Sequence, residues 1–347
     1  MTRPAGARAG RPRGAGRGPA CANSSGARNF TLPSWAAGDT SIRRHPEPTG
    51  HVPLKHIVVA VDVTDASRHL LETAAHLARR AGARVTVLNA QRAALHAGAA
   101  TVGGVHMADA DGEDHGLTQL REWVADTLDV AGVPQVTLAT TVGVAGVEVS
   151  HFAEEHGADL ILVGRKPPGR PPPRLLGETV DSVARRSKVR CLFVHPGWTR
   201  FSPVLAALDG TERGLAVFRD ACRLARNTGG EVRAVTVEPV WPGEPDALAS
   251  QMPSGRTMRL LETIGRVVAQ ERGGCPGWPD GSTLDEYPFG VRRGDVVTAL
   301  LEEVRATAAG VLAVGMRLHG QAGIVERDSI TRFLIHEAPC AVLTVPL

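Results

Sequence analysis

The sequence predicts an α/β fold that occurs twice, as two tandem doubly wound parallel sheets of five strands each. Short runs rich in Val, Ile and Leu alternate with helix-periodic stretches, a pattern typical of parallel strands covered on both faces. Residues 58–88 align with residues 205–235 at a constant offset of 147, with nine identical positions. Further on, ADLILVG at 158–164 matches AGVLAVG at 309–315. The chain is therefore predicted to contain one domain in two copies, residues 54–197 and 200–347.

In the first copy, an apolar run that ends at Asp62 predicts the first strand, and strands and amphipathic helices then alternate. The remaining predicted strands lie at 84–89, at 135–141, in the run that ends at Gly164, and at 189–196. The predicted helices lie at 65–81, 116–131, 146–156 and 178–187.

The second copy repeats this order after a strand that ends at Asp209. Its closing strand, like that of the first copy, is uncharged, so both edges are expected to be covered. The remaining predicted strands lie at 231–237, at 283–288, in the run that ends at Gly315, and at 339–346. The predicted helices lie at 212–228, 256–272, 294–307 and 329–337.

Composition favours a globular cytoplasmic protein and argues against several other classes. Hydrophobic residues make up 43% and charged residues 22% of 347 residues, and the apolar runs are strand-sized, too short for a membrane span. The basic N-terminal stretch is not followed by the apolar core of a secretory leader. The five cysteines show no C-x-x-C pair, which argues against a disulfide framework or a zinc site and favours a reducing cytoplasm.

Residues 1–50 form a predicted disordered tail rich in Arg, Gly, Ala and Pro. They hold eight Arg against Asp39 and Glu47, a surplus of six positive charges, so the remaining 297 residues carry about −3 of the net +3. An electrostatic arm for nucleic acid is one interpretation. A solvated tail, or a segment upstream of the true start, is favoured because no aromatic residue interleaves the arginines before Phe30.

The predicted functional sites lie where the first and fourth strands end, because ligands of such sheets bind where the strand order reverses. These ends carry Asp62 with Gly164 in the first copy and Asp209 with Gly315 in the second. A carboxylate there accepts from a ribose or an adenine edge, and a glycine loop before a helix holds phosphates. The alternative for each Asp is a cap on the next helix.

With these features, each copy resembles a universal stress protein domain, and the chain resembles a tandem universal stress protein over about residues 54–347. The resemblance implies the adenine-nucleotide-hydrolase-like fold and an Asp at the end of the first strand. It also implies Gly-x2-Gly-x9-Gly-[Ser/Thr] after the fourth strand in members that bind nucleotides. Adenine nucleotide, ATP in particular, is therefore the implied ligand.

In the first copy, the candidate nucleotide residues are Asp62, Gly164, Gly177 and Thr179, and the motif is damaged. Pro167 replaces the middle glycine, and its fixed negative φ and missing N–H oppose phosphate binding. The loop remains basic through residues such as Arg165 and Lys166, which predicts loose attraction of an anion. However, Glu178 stands where Ser or Thr belongs and repels a phosphate at the helix N-terminus, so this site is expected to be closed.

In the second copy, the candidate residues are Asp209, Gly315, Gly320 and Ser329. Leu318 and Asp328 replace two motif glycines. Asp328 places a carboxylate where phosphate would lie, as an internal substitute for the ligand's charge. The alternative interpretation of Asp328 is that a divalent cation bridges its carboxylate to the phosphates of a ligand.

The sequence therefore predicts a non-catalytic regulatory protein of universal-stress type with weak or absent ATP binding. The alternative is an ATP-binding stress sensor or slow ATP hydrolase that uses the second-copy site. No metal site is predicted, because the acidic segment 109–115 lacks the calcium-loop spacing. The resemblance implies pairing through the last strands, as an intramolecular pseudo-dimer, and a homodimer is a further expectation; membrane and nucleic-acid partners are not expected.

Overall fold

Ten strands and eight helices are present in the part of the chain that the computed structural model describes. The tail of residues 1–50 and most of the acidic segment 109–115 lie outside it. The described residues are 54–91, 115–127, 132–168, 177–198, 200–211, 213–240, 253–270, 275–278, 288–316 and 325–347.

The first half contains five parallel strands in the order β3-β2-β1-β4-β5. Its strands are β1 His56–Val61, β2 Arg84–Gln91, β3 Val136–Val142, β4 Leu160–Gly164 and β5 Arg190–Val194. Its helices are α1 Arg68–Ala81, α2 His115–Thr127, α3 Ala145–Glu155 and α4 Glu178–Arg186.

The second half repeats the same order as β8-β7-β6-β9-β10. Its strands are β6 Val204–Leu208, β7 Val232–Glu238, β8 Phe289–Arg293, β9 Val311–Met316 and β10 Ala341–Pro346. Its helices are α5 Gly214–Thr228, α6 Gly255–Gln270, α7 Val296–Ala306 and α8 Val325–Glu337.

The two halves form one ten-stranded sheet, because their closing strands pair with each other. β5 and β10 are antiparallel, with Phe193 opposite Val342 and Leu192 opposite Leu343. The uncharged edge of each closing strand is thereby covered by the other. Their backbone N–H and C=O groups, which could otherwise pair with another chain, form hydrogen bonds between the two halves.

The core lies in two layers, one on each face of the sheet. Apolar residues of α1, α2, α5 and α6 pack in one cluster with Ile57 and Val59. Residues of α3, α4, α7 and α8 pack on the opposite face with Val58 and Ile161. This double cover explains why β1 and β4 read as continuous apolar runs rather than as alternating ones.

The third strand of the second half differs from the prediction. It spans Phe289–Arg293 instead of 283–288, of which 283–287 lie outside the described residues. Pro288 has no N–H to donate, so the strand begins after it. The two arginines of the strand are neutralised by ion pairs, Arg292 with the buried Glu303 and Arg293 with Glu238 at 3.1 Å.

The cysteines correct a second expectation. Cys222 of α5 and Cys275 form a disulfide with a Cα–Cα distance of 5.5 Å, although 53 positions separate them in the sequence. The argument from cysteine spacing for a reducing compartment therefore fails for this pair. Cys191 and Cys340 are buried thiols, and burial raises the pKa of Cys191 to about 12.

Within the described residues, no helix combines the length and the apolar character needed to cross a membrane.

Candidate functional site

The carboxylate of Asp62 lies at the end of β1, beside the end of β4. Ala60 pairs with Val163 in neighbouring parallel strands, which brings Asp62 close to the strand-end glycine of β4. One oxygen, Oδ1, accepts hydrogen bonds from the hydroxyls of Thr64 at 2.7 Å and Ser67 at 2.5 Å. Burial raises the pKa of Asp62, but these hydrogen bonds outweigh it and hold the pKa below its ordinary value.

Asp209 occupies the equivalent place at the end of β6. Its Oδ1 accepts from the backbone N–H of Thr211 at 3.0 Å and from the Thr211 hydroxyl at 2.6 Å. Asp62 and Asp209 thus both stabilise the turn that follows them. Neither caps the next helix, the role that the sequence left as an alternative, because the N-cap residues of α1 and α5 are Ser67 and Arg213. Both residues are exposed.

The turn itself differs between the halves. The residue after each aspartate has a left-handed backbone, and it is Val63 with φ 55° in the first half and Gly210 with φ 72° in the second. Glycine adopts this conformation without cost, whereas a β-branched residue is strained in it. The first site therefore contains a strained backbone where the second does not.

Two buried polar residues at the ends of the second strands were missed by the sequence analysis. Asn89 donates from Nδ2 to the carbonyl of Val61 at 2.9 Å, and Thr236 donates from Oγ1 to the carbonyl of Leu208 at 2.8 Å. They fix the strand ends that carry the aspartates. The signal was available, since the two polar residues interrupt apolar strands at the same offset of 147.

The two strand-end glycines are each covered by a leucine. A methyl group built on Gly164 would lie 3.2 Å from Leu70 Cδ1 of α1. A methyl group built on Gly315 would lie 2.4 Å from Leu347 Cδ1 and 3.4 Å from Val217. At Gly315, the space that the absent side chain leaves is therefore filled by Leu347.

Arg165 corrects the expectation that the first loop offers a free positive charge. Its guanidinium is buried and donates from Nη2 to the carbonyls of Ala338 at 2.6 Å and Cys340 at 2.7 Å, beyond the end of α8. Nη1 lies 3.4 Å from the carbonyl of His336. Burial lowers the pKa of Arg165 to about 10. The residue binds the second half instead of facing an anion, and the equivalent position there is the buried Met316.

Two charged side chains lie near the strand-end turn of the second half. Glu238, at the end of β7, accepts from the backbone N–H of Ser254 at 2.7 Å, from Thr257 Oγ1 at 2.7 Å and from Arg293 Nε at 3.1 Å. Arg256 of α6 donates from Nε to the carbonyl of Gly210 at 3.2 Å. An acidic and a basic group thus flank the strand-end turn, and Glu238 is engaged by its own neighbours.

The remaining predicted site residues are only partly brought together. Gly177 immediately precedes α4, and a methyl group there would meet nothing within 4 Å, so no steric constraint requires glycine. Thr179 is half-buried in the first turn of α4. Gly320 and the side chains of Asp328 and Ser329 lie outside the described residues. Within the described ranges, no group of three or more His, Cys, Asp or Glu is arranged to hold a metal ion.

Comparison with known proteins supports the predicted resemblance. The model of the universal stress protein family matches residues 53–195 and again residues 200–346. A universal stress protein from Archaeoglobus fulgidus DSM 4304 is similar over 84% of this chain and 98% of its own, with a TM-score of 0.58 and 17% identity. A putative universal stress protein from Pseudomonas aeruginosa UCBPP-PA14 covers 85% of this chain and 94% of its own, with a TM-score of 0.55 and 13% identity.

At these identities the likeness shows the fold alone. A universal stress protein in complex with cAMP is 26% identical and covers 41% of this chain and 98% of its own, with a TM-score of 0.31. No curated relative matches the chain.

Proposed function

Because the chain belongs to the universal stress protein family, we propose that it is a non-catalytic regulatory protein whose two nucleotide sites are closed by its own side chains. The proposal includes weak or absent ATP binding and a cytoplasmic location. The location no longer draws support from the cysteines, since two of them are paired.

The contact between Leu347 and Gly315 carries this proposal. A glycine at the end of the fourth strand serves a ligand that approaches the backbone closely. Leu347 Cδ1 takes that space, and the backbone N–H of Leu347 donates to the carbonyl of Met316 at 2.8 Å, which holds the residue in place. A ribose or phosphate at the end of β9 would have to displace an apolar side chain that packs on the core.

The first site is closed by different chemistry. Pro167 offers no N–H to a phosphate, and the neighbouring Arg165 is committed to carbonyl groups of the second half. Withdrawing that guanidinium would leave buried carbonyls without their donor. A phosphate at this loop therefore competes with a contact that joins the halves.

The pairing of the closing strands supports an intramolecular pseudo-dimer. Two ion pairs reinforce the antiparallel junction. Arg190 of β5 lies 2.6 Å from the buried Asp220 of α5, and Arg332 of α8 lies 2.6 Å from Asp181 of α4. Each pair joins one half to the other, so the two domains act as a single body in this proposal.

A second candidate function is an ATP-binding stress sensor, or slow ATP hydrolase, that uses the second half. The exposed carboxylate of Asp209 favours it, because an unstrained Gly210 follows and Arg256 lies against the same turn. A carboxylate beside a guanidinium suits a ligand with hydroxyl and phosphate groups. In this candidate, Leu347 moves aside when the nucleotide binds.

The test is ATP titration of the purified chain by calorimetry, with and without Mg²⁺, after identification of any nucleotide released by heat. We expect no nucleotide to co-purify and no binding at millimolar ATP. Leu347→Ala removes the blocking side chain, and Leu347→Ala with Asp209→Asn is its matched control. ATP or ADP carried through purification at near one per chain would overturn the proposal in favour of the sensor.

A further inference from the structure

The outer helix pairs of the two halves pack differently. In the first half, Gly146 of α3 lies so close to α4 that a methyl group on it would be 2.3 Å from Ser182 Cβ and 3.1 Å from the carbonyl of Thr179. The equivalent residues of α7 and α8, at the offset of 151, are Val297 and Phe333. A small pair is thus replaced by a bulky one, which cannot reproduce the close helix contact of the first half.

The space left between the bulky helices is a groove of about 430 Å³, the α7–α8 groove. Phe333 is 43% exposed at its edge, although most large hydrophobic side chains of the described residues are buried. Its lining combines apolar and charged side chains, mainly Val297, Leu301, Phe333, Asp295, Glu302 and Arg305. An apolar floor beside carboxylates fits a segment that carries aromatic residues and positive charge.

Such a segment exists in this chain. Residues 28–36, RNFTLPSWA, place Phe30, Leu32 and Trp35 within six positions, in an N-terminal arm that otherwise consists mainly of Arg, Gly, Ala and Pro. We propose that residues 28–36 occupy the α7–α8 groove. The arm carries six surplus positive charges and the rest of the chain about −3, so the docking is also favoured by charge.

The connection between arm and groove is long enough. Seventeen residues, 37–53, separate the docking segment from Leu54 before β1, and at about 3.3 Å per residue they span up to about 56 Å. Strand β9 is four positions from β1 in the sheet, which is about 20 Å at about 4.8 Å per strand. The helix layer adds about 10 Å, so the arm reaches the groove without strain.

Hydrogen exchange of the full chain, read by mass spectrometry, tests this docking. Amides of residues 28–36 are expected to exchange about tenfold more slowly in the wild type than in Phe333→Ser, which restores the residue type of the first half. The matched control is Val144→Ser, which removes a valine that is 66% exposed near the equivalent place on the first half, and it should leave the arm protected. Equal exchange of the arm in all three chains overturns the proposal.

A second variant separates docking from folding. Phe30→Ser with Trp35→Ser leaves the described residues untouched, and we expect α7 peptides to lose protection as they do in Phe333→Ser. If α7 is instead protected only at high protein concentration, and the dimer seen by sedimentation is lost in Phe333→Ser, a second copy fills the groove and the arm does not. Unchanged α7 exchange in the arm variant also contradicts the proposal.

Discussion

The first half ends its leading strand in Asp62-Val63-Thr64, the second half in Asp209-Gly210-Thr211, and both aspartates accept hydrogen bonds from the turn that follows. The strand order and the carboxylate are shared, but the backbone is strained only where valine occupies the left-handed position. Duplication has thus preserved the framework of the sheet more strictly than the groups that would touch a ligand.

The same asymmetry governs the junction between the halves. Arg165 extends from the first half and satisfies carbonyl groups beyond α8, whereas the equivalent Met316 has no guanidinium to return the contact. One loop therefore clamps the pseudo-two-fold junction from one side. Arg165, one of the residues that make the first loop basic in the sequence, is thus part of the interface.

The largest effect is expected from Arg165→Met, which makes the first half like the second at this position. The variant leaves the carbonyls of Ala338 and Cys340 buried without their donor and should cost about 2–4 kcal/mol of unfolding free energy. Urea unfolding followed by circular dichroism measures it. Lys166→Met, which removes an exposed charge at the next position, is the control and should change stability by less than about 0.5 kcal/mol. Equal stability of the two variants would show that the clamp contributes nothing.

A reciprocal exchange at the strand-end turns should have an intermediate effect of opposite sign in the two halves. Val63→Gly relieves the left-handed strain and should stabilise the chain by about 0.5–1 kcal/mol after the entropy of the added glycine is subtracted. Gly210→Val introduces the strain and places Cβ 3.0 Å from Arg256 Nε, so it should cost about 1–2 kcal/mol. Denaturant midpoints of both variants and of the wild type decide the matter. Destabilisation by both substitutions would mean that Val63 is held by packing and not strained.

Much of the fold could be predicted from the sequence, because parallel strands that are buried on both faces consist of continuous apolar residues. Strand β8 escaped this pattern. The sequence pattern placed its arginines in a loop. Ion pairs with Glu303 and Glu238, which come from other elements, make these arginines compatible with a strand. Local hydrophobicity cannot show a charge that a distant residue will neutralise.

The sequence predicts which residues lie at the strand ends of the candidate sites, but not which side chains cover them. The strand-end aspartates and glycines follow from the repeat, whereas the side chains that cover them come from remote positions, as Leu347 does at Gly315. The disulfide between Cys222 and Cys275 has the same origin, since folding joins residues whose spacing carries no signal. The direction of Arg165 was likewise set by a neighbour in the other half.

The smallest effect is expected from pH, and it should arise in the first half. Burial, the largest cause, lowers the pKa of His56, His69 and His76 below the ordinary 6.5. His56 is also repelled by Arg84, against the favourable nearby charge of Asp159. A histidine with a lower pKa in the folded chain takes up its proton more readily after unfolding. Stability should therefore fall as the pH drops below about 6.5 and level off below the folded pKa values.

His56 tests this dependence, because its ring is fixed on both sides. Nε2 lies 2.8 Å from Thr86 Oγ1 and Nδ1 lies 3.2 Å from the carbonyl of His156. His56→Gln should reduce the loss of stability between about pH 7.5 and pH 5.5, measured as the shift of the urea midpoint. His151→Gln, at an exposed position of α3 beside Glu155, is the matched control and should leave the pH profile unchanged. If His56→Gln keeps the wild-type profile, protonation of this buried ring does not govern the acid sensitivity of the first half.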